Sequence, residues 1–206
     1  MNRAARLLVL VLVLLPGCAI SDVIEVQNFH ATVHDGDPWP LRVAILLPEE
    51  IQHQTVPSGS MRLNDIGIGH ALINASHSYL SQAFSDTFVV YSVEDSRPRD
   101  FVIRPSIPAC SAEYSWGLMF GNDYSCEMTL RLEVLDGDGS IWDEQYQSQA
   151  EVNVTLMPFD GMRGIERACS QAVGSALRRS FMLAVRDLVA KPPLVSAFSA
   201  VSSGAE

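Results

Sequence analysis

The sequence predicts an α/β fold, an α+β two-layer sandwich in the order β-α-β-β-β-β-α, with a mixed sheet and two helices packed on one face. Three observations predict it. Apolar residues recur at helical spacing in two long windows, residues 65–85 and 162–188. They alternate with polar ones from residue 124 to 134, in the run Tyr124–Leu135. One short run, Arg42-Val43-Ala44-Ile45-Leu46-Leu47, stays apolar after Arg42 until Pro48, as a strand buried on both faces reads.

Each element has its own signal. Residues 19–40 mix Val and Ile with His, Asp, Gly and Pro, which suits a tether with one short strand near Val23–Val26. The strand at 42–47 follows, and a polar stretch, Glu49 to Asn64, links it to the first helix. In that helix Ile68, Leu72, Ile73, Tyr79, Leu80, Ala83 and Phe84 share a stripe, opposite His70, Asn74, His77 and Ser81. Thr87–Val93 has strand composition, and Phe101-Val102-Ile103 opens another strand after a turn at Arg97-Pro98-Arg99-Asp100.

The hairpin is the clearest unit. Tyr124, Cys126, Met128, Leu130, Leu132 and Val134 point one way; Ser125, Glu127, Thr129, Arg131 and Glu133 point the other. Asp136-Gly137-Asp138-Gly139 supplies the residues a tight reversal needs, and Trp142, Tyr146, Ala150, Val152 and Val154 share a face on the return. The second helix spans Met162–Leu188, with Pro192-Pro193 ending it. The predicted organisation is a leader at 1–17, an N-terminus and tether at 18–40, a domain at 41–190 and a flexible tail at 191–206.

The leader is a sharper signal than any of these. Arg3 and Arg6 precede an unbroken apolar run, Leu7–Leu15, which is too short to span a bilayer but suits a secretory signal. It ends in Leu15-Pro16-Gly17-Cys18, which resembles the lipobox of bacterial lipoproteins. The resemblance implies cleavage before Cys18 and acylation of that cysteine, giving a stable membrane anchor. Ala19 rather than Asp follows, which by the sorting rule of enterobacterial lipoproteins implies the outer membrane, periplasmic side.

The net charge of −10 becomes −12 once Arg3 and Arg6 leave with the leader. So acidic a chain repels phosphate backbones and argues against nucleic acid as a partner. In an oxidising compartment Cys110 and Cys126, which flank the Gly-, Tyr- and Ser-containing segment 111–125, are placed to staple a long hairpin. Such a bond is worth about 3 kcal/mol. Cys169 lies on the apolar stripe with Ile165, Ala172, Val173 and Ala176, as a free buried thiol.

"RVAILLP", a helix, "TFVVYSV", the hairpin "TLRLEVLDGDGSIWDEQY" and a closing helix together resemble a group of envelope proteins. The group comprises the N-terminal domain of the Tol-system periplasmic protein, the curli-secretion lipoprotein and small lipoproteins of polysaccharide export. The resemblance covers residues 41–190, with insertions at 49–64 and 108–124 outside the compact pattern.

No catalytic signature stands in the chain: no GxSxG, no Walker sequence, no GxGxxG after a strand. His30, His34, His53, His70 and His77 lack metal-ligand spacing, and Asp136/Asp138 read as turn residues because Ile141 and Gln147 stand where a calcium loop needs Gly and Glu. The expectation is therefore a non-enzymatic protein without cofactor or metal. Tyr114, Trp116, Leu118, Met119 and Phe120 either meet a partner from an exposed hairpin end or fold back over a sheet face. The partners expected are the outer membrane, through Cys18, and other envelope proteins, a second copy of this chain among them. The other function class is a lipid- or lipopolysaccharide-binding accessory of an envelope transporter, which needs an apolar pocket.

Overall fold

Eight strands and three helices follow one another in the computed structural model, which describes residues 23–26, 32, 36–56, 65–116, 122–137, 139–154 and 161–203. The predicted class is the observed one: a five-stranded mixed sheet with helices on one face. Strand β1 (Val23–Glu25) falls in the predicted tether, and β2 (Trp39–Leu46) is the strand read from the "RVAILL" run. β2 lies inside the sheet, between β5 and β6, and is buried on both sides. Val43 and Ile45 enter the main core, while Ala44 and Leu46 join Val90, Phe88 and Val102 in a smaller cluster on the opposite face.

The link between β2 and the first helix is not a plain polar loop. A 3-10 turn at Glu49–His53 leads to β3 (Thr55–Val56), and β4 (Asp65–Gly67) enters helix α1 (Gly69–Ala83). The helix thus starts four residues later than its periodicity suggests, because Asp65–Gly67 pairs as a strand with β1 and β3. Gly69 is required there: a Cβ would lie 1.9 Å from the Ile51 carbonyl oxygen. Leu72, Tyr79, Leu80 and Ala83 are buried, and His70 and His77 are exposed, as the two stripes predict.

β5 (Phe84–Val90) follows α1 directly and runs parallel to β2. The chain then returns across the sheet to β6 (Phe101–Trp116), which also pairs parallel with β2 at Val43–Ile45. The return is pinned at both ends. Arg97 reaches the Val89 carbonyl at 2.8 Å and lies 4.5 Å over the Phe88 ring. The Asp100 N–H donates to the Arg42 carbonyl at 2.8 Å, and the Arg42 N–H donates to the Asp100 carboxylate at 2.7 Å.

β6 is much longer than its sequence signal and absorbs half of the supposed insertion. It forms an antiparallel meander with β7 (Asn122–Asp136) and β8 (Gly139–Val154), giving the order β5-β2-β6-β7-β8. Every apolar member of the 124–134 alternation is buried. At the β7–β8 turn Gly139 takes φ +141° and donates its N–H to Asp136 Oδ1 at 3.1 Å.

Helix α2 (Gly161–Ala190) lies over β7 and β8 and packs on α1. Ala172, Val173, Ala176, Phe181, Ala184, Val185 and Leu188 are all fully buried, and Phe181 stacks on Tyr79 at 5.5 Å. Its polar contacts with β8 are satisfied, Ser148 Oγ donating to the Ala176 carbonyl at 2.8 Å.

The predicted flexible tail is a third helix, α3 (Pro192–Ser203). The Pro pair ends α2 but also begins α3, since a first-turn proline lacks only an N–H that has no intrahelical partner there. Leu194 and Phe198 are buried. Phe198 meets the rings of Trp39, Phe84 and Phe101 at 5.8, 5.4 and 5.0 Å. This seals the end of the core where β2, β5 and β6 start.

Candidate functional site

The residues singled out from sequence fall into three places. Cys18 lies outside the described residues, as do Leu118, Met119 and Phe120, His30 and His34. Tyr114 and Trp116 stand near the end of β6, where the backbone pairs Tyr114 with Tyr124 and Trp116 with Asn122. The three remaining cysteines converge on the helix-facing side of the meander.

That convergence follows from register. Cys110 pairs with Met128 and Ala112 with Cys126, so the two cysteines are diagonal neighbours on one face of the hairpin. Their sulfurs are 3.9 Å apart and both thiols are free. Cys126 is fully buried and Cys110 partly exposed. The hydrogen bond between them pulls Cys110 below the usual thiol range and, with burial, pushes Cys126 above it, so Cys110 is the more acidic thiol. Cys169 sits beside them on α2. Burial raises its pKa to about 12, and the hydrogen bond it shares with Tyr124 offsets part of that rise.

The opposite face of the meander is open and polar. Arg104 pairs with Glu133 in a partly buried contact, and Arg131 Nε meets Asp143 at 2.7 Å. Arg131 holds the Asp143 carboxyl below the ordinary carboxylate range. Further toward Trp116, Ala109, Thr129 and Gln147 share one cross-strand row, and Ser111, Glu127 and Gln149 the next. A cleft of about 690 Å³ at this end of the meander is lined from both faces, by these rows, by the helix-facing row Cys110, Met128 and Ser148, and by Gln54, Val56 and Ile107. Gln54 is tied to its wall, donating Nε2 to the Ile107 carbonyl at 3.2 Å. β6 loses strict register between Ser106 and Ala109, and a bulge of this kind bends the strand beside the cleft.

β8 forms the outer edge of the sheet over sixteen residues and pairs only with β7 among the described residues. It contains no Pro and no Lys, the usual devices that blunt an edge. The second edge, β5, is followed by the exposed side chains Tyr91 and Val93. No group of three or more His, Cys, Asp or Glu converges into a metal site among the described residues. No described helix is long and apolar enough to cross a membrane.

The length of β6, and with it the cleft, was missed from sequence. Pro105 and Pro108 broke the pattern that would have extended the strand, although Ser111–Trp116 keeps an alternation compatible with one.

No family model and no curated protein matches the chain. Among solved structures it is similar to a Xanthomonas campestris protein of family DUF330, with a TM-score of 0.51 over 80% of this chain and 94% of that one, at 7% identity. A Helicobacter pylori homologue of the neuraminyllactose-binding hemagglutinin superposes with a TM-score of 0.47, 10% identity and coverage of 85% and 100%. A minor lipoprotein from Acinetobacter baumannii gives 0.43, 11%, 75% and 94%. At 7% identity the Xanthomonas likeness is one of fold.

Proposed function

We propose that this chain is an outer-membrane-anchored lipoprotein facing the periplasm, a non-enzymatic scaffold or accessory subunit of an envelope assembly or export complex. The observation that carries this reading is the pairing of the Leu15-Pro16-Gly17-Cys18 lipobox with a domain whose sixteen-residue terminal strand, β8, pairs with a neighbour on one side only among the described residues. An edge of that length offers a row of backbone groups to an added strand. The resemblance to the Tol-system periplasmic protein, the curli-secretion lipoprotein and the small lipoproteins of polysaccharide export, which motivates this reading, rests on the sequence pattern of residues 41–190. Contacts of this protein run through the β8 edge and the β6–β7 hairpin end, with Trp116 as its aromatic anchor.

Cys110 and Cys126 close into a disulfide in this compartment. Thiol–disulfide exchange with an oxidised dithiol protein transfers two electrons and leaves that partner reduced. The lipid-carrier alternative finds less support. The open cleft mixes Gln54, Glu127 and Gln147 with Val56, Ile107 and Met128 in its lining, whereas acyl chains require an enclosed apolar one.

The test is Cys18→Ala with native sizing of the acylated wild type. The mutant should lose acylation and leave the outer membrane, and the wild type should migrate as a complex. Normal processing and outer-membrane recovery of the mutant would sink the anchor. A lone protomer that co-purifies with stoichiometric lipid would favour the carrier.

A further inference from the structure

We infer that the folded domain is held directly against the lipid surface, with the end that carries the small β1-β4-β3 sheet facing the bilayer. This rests on the lipoprotein reading and adds an orientation to it. Only four residues, Ala19 to Asp22, lie between Cys18 and the start of β1. β1 is not a free segment. Its three residues pair in parallel with Asp65–Gly67, the strand that enters α1. It also contacts α2, and Val26, immediately after it, packs on the main core.

The chain can extend at most about 3.6 Å per residue, so Val23 stays within roughly 18 Å of an anchored Cys18. Were β1 detached, the first secured element would be β2 at Trp39, and the reach would rise to roughly 75 Å. Pairing of three residues thus turns a long tether into a short one. Charge does not do this work, because a domain at −12 after cleavage is repelled by anionic lipid. The standoff is set by the chain and is insensitive to salt. It also brings the cleft beside Gln54 and Val56 to the membrane-proximal end, since β3 lies two strand spacings from β1.

The experiment uses the full acylated protein in phosphatidylethanolamine–phosphatidylglycerol vesicles containing a headgroup-labelled acceptor lipid. A fluorescent amino acid replaces the exposed His70 at the start of α1 as donor. Two variants carry the same 40-residue Gly/Ser insertion, one between Asp22 and Val23, the other after Gly36. The first should raise the mean standoff by about 20 Å and cut energy transfer sharply. The second should leave transfer at the wild-type level, because β1 still holds the body. Thermal melting of both variants verifies the fold. Equal loss of transfer in both, or no loss in either, overturns the inference while the anchor stands. An unmodified Cys18 by intact mass, with no flotation on vesicles, overturns the anchor itself and the standoff with it.

Discussion

Replacing Phe198 by alanine is expected to destabilise the whole domain, although the residue lies in a segment whose sequence looks like a tail. Phe198 is fully buried, and its ring contacts Trp39, Phe84 and Phe101, which belong to three different strands. Truncating a buried Phe removes its transfer energy and leaves a cavity, about 3–5 kcal/mol. The edge-to-face contacts lie within that figure, at about 0.5–1.5 kcal/mol each. For a domain of this size each kcal/mol lowers Tm by about 2–4 °C, so the loss is about 6–20 °C. Ser199→Ala, one residue on and exposed, should stay within about 0.5 kcal/mol of wild type. Differential scanning calorimetry on the soluble chain from Val23 onward reads both. A Phe198→Ala melting point within experimental error of Ser199→Ala would refute the docking of α3.

Four further outcomes are expected. Non-reducing peptide mapping of periplasmic protein should find Cys110 joined to Cys126 and Cys169 free; any bond to Cys169 contradicts the register argument. Cys169 should resist alkylation at pH 8 in the native state and react in denaturant. Its raised pKa means that native protein holds its proton longer than unfolded chain, so the stability kept below about pH 9 falls toward pH 12; Cys169→Ala should flatten that alkaline limb. Gly69→Ala drives a methyl into the Ile51 carbonyl and should cost about 1–3 kcal/mol in urea titration, a neutral result arguing against the close approach. Trp116→Ala should weaken partner capture while leaving Tm unchanged; a large drop in Tm with capture falling only in proportion would assign Trp116 to the core instead.

Those elements whose burial repeats with a clean period were legible. The alternation from Tyr124 to Val134, the continuous run Val43–Leu47 and the α2 stripe each appear in the structure. The α1 stripe holds from Leu72 to Ala83, whereas Phe84 at its predicted end opens β5, three residues before the strand composition at Thr87–Val93 begins. What escaped was structure made by tertiary pairing. Asp65–Gly67 has no strand signature of its own, and it is extended because β1 and β3 flank it. β6 carries two prolines that a single-strand reading takes as stops, yet the partner strand and a bulge accommodate them. The α3 stripe, Leu194 and Phe198 with Val201 half-buried behind them, was visible at helical spacing. In the sequence it stands behind a Pro pair, which reads as an end before it reads as a beginning.

For the site, the cysteine cluster could be anticipated only in part. The Cys110–Cys126 pair followed from the hairpin, but their meeting with Cys169 and Tyr124 required knowing that α2 lies over β7. The cleft needed the cross-strand rows Ala109-Thr129-Gln147 and Ser111-Glu127-Gln149. Those depend on register, and a single-residue slip would have turned each row to the other face.

The central claim, an anchored scaffold that docks through its long sheet edge, is tested most directly by photo-cross-linking in intact cells. A photoreactive residue is placed in turn at Gln145, Gln147 and Gln149 on β8 and at His77 on the exposed face of α1. The prediction is a discrete envelope-protein adduct from the β8 positions, absent from His77 and lost when Cys18→Ala releases the chain. Adducts of equal yield from His77, or none from any β8 position in correctly acylated protein, would contradict it.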